Sequence, residues 1–561
     1  MLKRWSKPGN FRRVKKPARG TGIGAKTAGT LLMLMLAALL ASCQRNVPDD
    51  NAVSGGAAPT AARAEAPAGT AAADAGSSAG EPGDTAGVGG GAAGGPAAPA
   101  PLVTPADPAA APPEKAAVAA TPERNGSASE PQPTIRELSG FTPHPVKNGN
   151  KSVYTLDLRM DQEGEFTVKA EIDVVNLSGE TWDQLVFYMI PNVFTQRTSP
   201  DLFREDAAFK LGEVKLDGVK AAPKLEGDTL TVPLKPGLAP SGHAKVTVNY
   251  SFRVPEQGIR FSRTGHSYDL AQWYPMLATY VNGVWNKQPY QSLTESHHTD
   301  FSDFTLRYKL PEPYYVISSS DDDPAQPSSA GELRAKQVRE LMVSFTQDLT
   351  PTREIEEGAE IVVWAGAEAE RHRDSAEKTA AEAMRQFSRQ IGPYAHKQLD
   401  VILGDRHSME YPGVVTVSAL DDSPPDRVVV HEIAHQWFYG MVSSDPYHAA
   451  WLDEGLTEMA TALFYGDYSF AERFYKPNLQ FSDLPLSGYG NGELTSSVYV
   501  QPVIKFKVLW EDRQEDGMSF LRTYFHTYRH KQVDTKEFMA FVRAYYGMKD
   551  NAFFAGWIKE Q

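Results

Sequence analysis

From Ser152 onward the chain alternates apolar and polar residues. Tyr154, Leu156, Leu158 and Met160 take every second position, and Phe166, Val168, Ala170, Ile172 and Val174 do so again after Gly164. A period of two belongs to half-buried strands, so the pattern predicts antiparallel pairs. Similar runs at 185–190, 230–232, 244–254 and 305–310 extend this to a largely all-β domain over residues 140–345. Near Glu360 the alternation gives way to strand–helix patterning. Residues 361–364 read as a strand. Ala376, Ala380, Met384, Phe387 and Ile391 then recur at helical spacing, and Gly392-Pro393 closes that helix. Strands follow at 399–403 and 413–418.

Ser423-Pro424-Pro425-Asp426 then reads as a helix start, with serine as N-cap, proline in the first turn and a carboxylate completing a capping box. The helix is mostly apolar (Val428, Val429, Val430, Ile433, Ala434, Trp437, Phe438), which predicts burial, and Gly440 reads as its stop. Another helix is expected from about Ala449. Residues 500–561 read as helical, with Phe520, Tyr524, Phe538, Phe541, Phe553 and Trp557 as core. Residues 346–561 are therefore expected to form an α+β domain.

The first 139 residues show neither period. Residues 1–42 carry nine Lys/Arg and no Asp or Glu, and an apolar run of about ten residues ends at Leu40-Ala41-Ser42-Cys43. That run is too short to span a bilayer; basic, apolar and small residues in that order make a secretory signal peptide. Leu-Ala-Ser-Cys resembles a bacterial lipobox. The resemblance implies lipidation of Cys43, attachment to the cell membrane and an extracytoplasmic location. Cys43 is the only cysteine, so no internal disulfide can form. Residues 43–139 are rich in Ala, Gly, Pro, Ser and Thr with few large apolar side chains, a composition that cannot offset ordering entropy. They read as a tether; about 90 flexible residues reach roughly 50 Å.

The chain has 56 basic and 70 acidic residues, a formal charge of −14. Losing the signal removes nine basic residues and no acidic ones. So acidic a protein is a poor partner for nucleic acid or anionic lipid, which leaves the lipid as the means of membrane attachment. Nothing in the sequence speaks to oligomeric state.

Candidate chemistry lies on the buried helix. His431-Glu432-Ile433-Ala434-His435 is an H-E-x-x-H motif, and Glu454 lies nineteen residues beyond its second histidine. Histidines four apart project from one helical face and can meet one ion, leaving Glu432 beside it as a carboxylate that need not bind metal. His431, His435 and Glu454 are thus candidate ligands for one Zn2+ per chain, with a fourth position open to water. Two imidazoles and a carboxylate on a buried helix need such a partner.

The motif with Trp451-Leu452-Asp453-Glu454-Gly455-Leu456-Thr457-Glu458 resembles the gluzincin aminopeptidases, the aminopeptidase N and leukotriene hydrolase family. The nineteen-residue spacing favours that branch over thermolysin's. Ser408-Met409-Glu410-Tyr411-Pro412-Gly413 resembles the family's G-x-M-E-N strand, with His407 where the first glycine stands. Tyr499 falls where the family places an oxyanion-stabilising tyrosine, without the usual Lys-Gly after it. Gln272-Trp273-Tyr274-Pro275-Met276 and residues 295–303 resemble the N-terminal β-domain of bacterial members.

The resemblance implies a saddle-like antiparallel sheet followed by a thermolysin-like α+β zinc metallopeptidase domain. It implies Glu432 as general base, Tyr499 as oxyanion donor and Glu410 as the group that binds a peptide's free amine. The expected activity is removal of N-terminal residues from peptides. Alternatives are an endopeptidase or oligopeptidase of the same fold, or a surface protein that binds zinc without turnover. Larger members add a helical domain over the site, so the cleft here is expected to be more open. Glu410 as an edge-strand carboxylate and Tyr499 as a packed core residue remain open. Glu458 could orient a ligand histidine or be a solvated surface group, while His297, His298, His407 and His448 are not expected to bind metal.

Overall fold

The computed structural model describes residues 134–196, 202–256, 258–292, 294–476, 478–490 and 492–559. The expected signal peptide, Cys43 and residues 43–133 lie outside the described residues. From Thr134 the chain is held against the C-terminal helices. The Arg136 guanidinium pairs with Glu515 at 3.0 Å and lies 4.2 Å from the centre of the Tyr545 ring.

The alternating segments form a ten-stranded sheet. At its centre β1 (Asn150–Met160) runs antiparallel to β2 (Glu165–Asn176), with Tyr154 opposite Ile172. Strand β2 pairs in turn with β3 (His243–Arg253). Every apolar position named from the period in β1 and β2 is buried, because successive side chains on a strand face opposite ways. Strand β4 (Ser302–Ser318) is 17 residues long. Its first half pairs parallel with β1, and its end pairs with Val343–Thr346. A register shift between Lys309 and Tyr314 marks an irregularity, and such bulges bend a strand and let a sheet curl. A four-stranded sheet containing Trp182–Tyr188 and Thr229–Leu238 shares one core with it, including Phe187, Leu230, Phe252 and Trp273.

The second domain is built on a five-stranded sheet: β5 (Thr350–Glu356), β6 (Ala359–Ala365), β7 (Gln398–Gly404), β8 (Met409–Tyr411) and β9 (Val414–Ser418), in the order β5-β6-β7-β9-β8. Helix α1 (Arg373–Gln390) connects the parallel pair β6 and β7. Its face of Ala376, Ala380, Met384 and Phe387 joins the core under α2 (Asp426–His435) and α3 (Ala450–Tyr465). Helices α4 (Gln501–Arg513), α5 (Gly517–Tyr528) and α6 (Thr535–Tyr546) complete the domain. Asp516 and Asp534 cap the last two by accepting from backbone N–H groups of the first turn. Phe520, Tyr524, Phe538, Phe541 and Trp557 are buried as expected, while Phe553 is only partly covered.

Two helix limits differ from the pattern. Helix α2 starts at Asp426, and no side chain caps it. A residue before proline is pushed out of the helical region, so Ser423 and Pro424, each followed by proline, cannot enter the helix. The Asp426 carboxylate instead accepts from Ser375 Oγ on α1, at 2.7 and 2.8 Å. Nor does the helix stop at Gly440. It widens into a π-helical turn over Gln436–Met441, a form often found at functional sites. From this turn the Gln436 amide donates to Tyr411 O at 3.0 Å and accepts from Gly413 N at 2.9 Å. It thereby ties the helix to the strand that carries Glu410.

Candidate metal centre and active site

Helices α2 and α3 bring His431, His435 and Glu454 together. Both imidazole Nε2 atoms face the same oxygen, Glu454 Oε2, at 3.4 Å from His431 and 3.3 Å from His435. Bonds of about 2.0–2.1 Å at a tetrahedral angle place ligand atoms about 3.4 Å apart. The donor set and its spacing fit a zinc ion.

The other ring nitrogens also face carboxylates. His435 Nδ1 lies 2.7 Å from Asp453 Oδ1 and 3.0 Å from Thr457 Oγ1. His431 Nδ1 lies 3.2 Å from Glu458 Oε2. A carboxylate at Nδ1 holds the proton there and leaves Nε2 its lone pair, as a metal ligand requires. Burial opposes charge on His431, but hydrogen bonds from Glu454 and Glu458 outweigh it and raise its pKa to about 9. Burial drives the Glu454 carboxyl up, yet the facing imidazoles pull it well below the usual range. These opposed shifts reflect the attraction of Glu454 for the two imidazoles.

Glu458 is 1 % exposed, so it is not a solvated surface carboxylate. Arg427, one helical turn before His431, holds both its oxygens. Glu432 is 6 % exposed, and burial pushes its carboxyl up to about 7. Glu410, on edge strand β8, is likewise buried, and burial raises it well above the carboxylate range. Glu410, Glu432 and His435 offer polar atoms within 4.8 Å of one another. Tyr499 sits in a π-helical turn, Thr495–Val500, that leads into α4. Its ring stacks on His431 with centroids 6.0 Å apart, and burial, with Glu454 nearby, raises its hydroxyl well above the usual phenol range.

The β-domain contributes a residue to which the sequence assigned no chemistry. Glu295 groups with Glu410 and Asp453, and separately with His297 and Glu340. Both Glu295 oxygens are buried without a hydrogen-bond partner. Its place in the 295–303 segment was the only available signal. His297 stands apart from the zinc ligands; its Nδ1 meets Gln272 Nε2 at 3.1 Å and its Nε2 lies 3.4 Å from Glu340. His298 and His448 both face Asp445, and His407 is in none of the metal-binding groups. Contacts between the β-domain and the second domain hold these residues in place. Arg260 Nε donates to Met409 Sδ at 3.0 Å, and Tyr439 Oη donates to Glu340 at 2.5 Å.

Residues 378–483, which include the H-E-x-x-H helix and Glu454, match the model of the peptidase family M1 domain. Over that segment the chain is similar to M1 peptidases. Its fold is also that of solved M1 enzymes. An M1 zinc metallopeptidase from Deinococcus radiodurans is 16 % identical with a TM-score of 0.55, over 74 % of this chain and 95 % of that one. A point mutant of the Deinococcus radiodurans enzyme bound to a Tyr-Ser-Ala substrate is 15 % identical with a TM-score of 0.54, over 76 % and 99 %. A two-domain M1 zinc metallopeptidase mutant bound to L-tryptophan is 15 % identical, with a TM-score of 0.55, over 76 % and 98 %. The M1 domain match supports a peptidase, and zinc is the ion that the cluster of His431, His435 and Glu454 suits. Among the described residues, no helix is long and apolar enough to cross a membrane.

Proposed function

We propose that the protein is an aminopeptidase that removes single residues from peptide N-termini. The observation that carries this reading is the closeness of Glu410 to Glu432 and His435. A peptide's α-amine is two bonds from the first carbonyl carbon. A carboxylate beside the metal cluster can therefore hold an ammonium only when the bond being cut is the first one. Glu295 and Asp453 add negative charge to the same pocket. The unpartnered oxygens of Glu295 suit a cationic group, since a buried acceptor without a donor is costly.

Bound zinc supplies Lewis acidity and makes water acidic enough to act near neutral pH. Glu432 takes the proton from the attacking water and delivers it to the leaving amine, and a pKa near the working pH suits a group that must do both. Tyr499 donates to the oxygen that gains charge, a role worth about 2.7–4 kcal/mol for comparable donors.

Acetylating a peptide's N-terminus tests the assignment. The free peptide should be cut from its first residue and the blocked one spared. Equal cleavage of both would remove Glu410 from this role and favour an endopeptidase. Attachment to the membrane through lipid on Cys43 is proposed on the sequence alone. Cys43→Ala should abolish labelling by a fatty-acid precursor and release the protein from membranes; continued labelling would refute it.

A further inference from the structure

The two ligand histidines are supported in different ways. The partner of His435, Asp453, is the chain neighbour of Glu454, and Thr457 one turn later shares the same nitrogen. The partner of His431 is held from further off. Glu458 lies one turn beyond Glu454 on α3, and Arg427 one turn before His431 on α2. Glu458 Oε2 lies 3.2 Å from both Arg427 Nη1 and His431 Nδ1, while Oε1 meets Arg427 Nη2. The two-pronged pair fixes the plane of the carboxylate as well as its position. The Arg427 guanidinium in turn lies 4.5 Å from the centre of the Phe470 ring. Each helix thus carries a metal ligand and, one turn away, one half of an enclosed ion pair.

We propose that Arg427 is a positioning residue for the metal: through Glu458 it fixes the ring angle and protonated nitrogen of His431, and so sets how tightly the ion is held. This rests on the metal-site reading above. Without Arg427 the Glu458 carboxylate is free to turn or take up a proton, and His431 loses its fixed acceptor.

The test is zinc affinity of the full chain, measured by competition with a chelator. Arg427→Met and Glu458→Gln should weaken zinc by about tenfold to a hundredfold, the usual effect of losing such a partner. Arg427→Lys should recover part of the loss, because it restores the charge but not the fork. The double variant Arg427→Met/Glu458→Gln should be no weaker than the worse single one, since the two residues act on the same ring. Cobalt in place of zinc should show a shifted visible spectrum in Arg427→Met. Melting of the metal-free proteins reports folding separately. Affinities within twofold of the unaltered chain would overturn the proposal. So would a loss that tracks melting temperature with no cobalt shift and no recovery by lysine. Absence of zinc from the unaltered chain would instead overturn the metal site itself, and this inference with it.

Discussion

In the proposed reaction Glu432 accepts one proton and then gives it away. It is 6 % exposed, and burial raises its carboxyl to about 7. Replacing it with glutamine keeps the shape and removes the proton carrier. Glu432→Gln should lower kcat by about 10²- to 10⁴-fold while zinc content stays unchanged, checked by metal analysis beside an assay on amino-acid arylamides. Asp300, which belongs to none of the candidate metal-binding groups, gives a prediction for stability. Burial raises its carboxyl from 3.8 to about 7, and its Oδ2 has no partner. The folded protein therefore binds this proton more tightly than the unfolded chain. The stability Asp300 contributes is complete below the unfolded pKa, falls as pH rises through the folded pKa near 7, and stays lost above it. Asp300→Asn should raise the melting temperature at pH 8 and leave it unchanged near pH 3. An equal gain at both would refute this account of the residue.

The residues of the candidate metal cluster were legible because spacing on a helix fixes which side chains share a face. Those supporting them were not. Arg427 sits next to the apolar run 428–430, where a charge must find a partner, but its partner is 31 positions away on another helix. Glu458 was ambiguous for the same reason: one turn past Glu454 is equally compatible with facing inward or outward until α2 is packed beside it.

At the scale of elements, α3 packs closely at Gly455 against the Tyr499 turn and the start of α4. A Cβ on Gly455, directly after Glu454, would stand 3.0 Å from Pro502 Cγ and 3.1 Å from Val498 O. Gly455→Ala should push the Tyr499 turn away from the zinc helices. It should cost about 1–3 kcal/mol of stability, as overpacking does. It should also lower kcat, with zinc still bound; unchanged kinetics would show that the turn has room to give. Regular elements were legible wherever burial imposed a period, as in β1, β2 and α1. Helix α2 was misread at both ends for local reasons. Consecutive prolines delay its start, and its end widens into a π-helical turn that lets Gln436 reach Tyr411 and Gly413. Patterns of apolar residues carry no trace of either.

Across the whole molecule, the β-domain lends the active site one wall. Glu295 comes from it, and Arg260, Arg339 and Glu340 hold that wall to Met409 and Tyr439. The curled sheet was expected from alternation and resemblance, but which of its residues join the carboxylate cluster depends on how two cores meet, which no local period records. The charge balance fits the proposed role: Glu295, Glu410, Glu432, Asp453 and Glu454 cluster beside His431 and His435. The most direct test is zinc content of the purified protein beside that of Glu454→Ala. One zinc per chain, lost from the variant, is the expected result. A protein that takes up no zinc, or a variant that retains it fully, would contradict the site on which every step above is built.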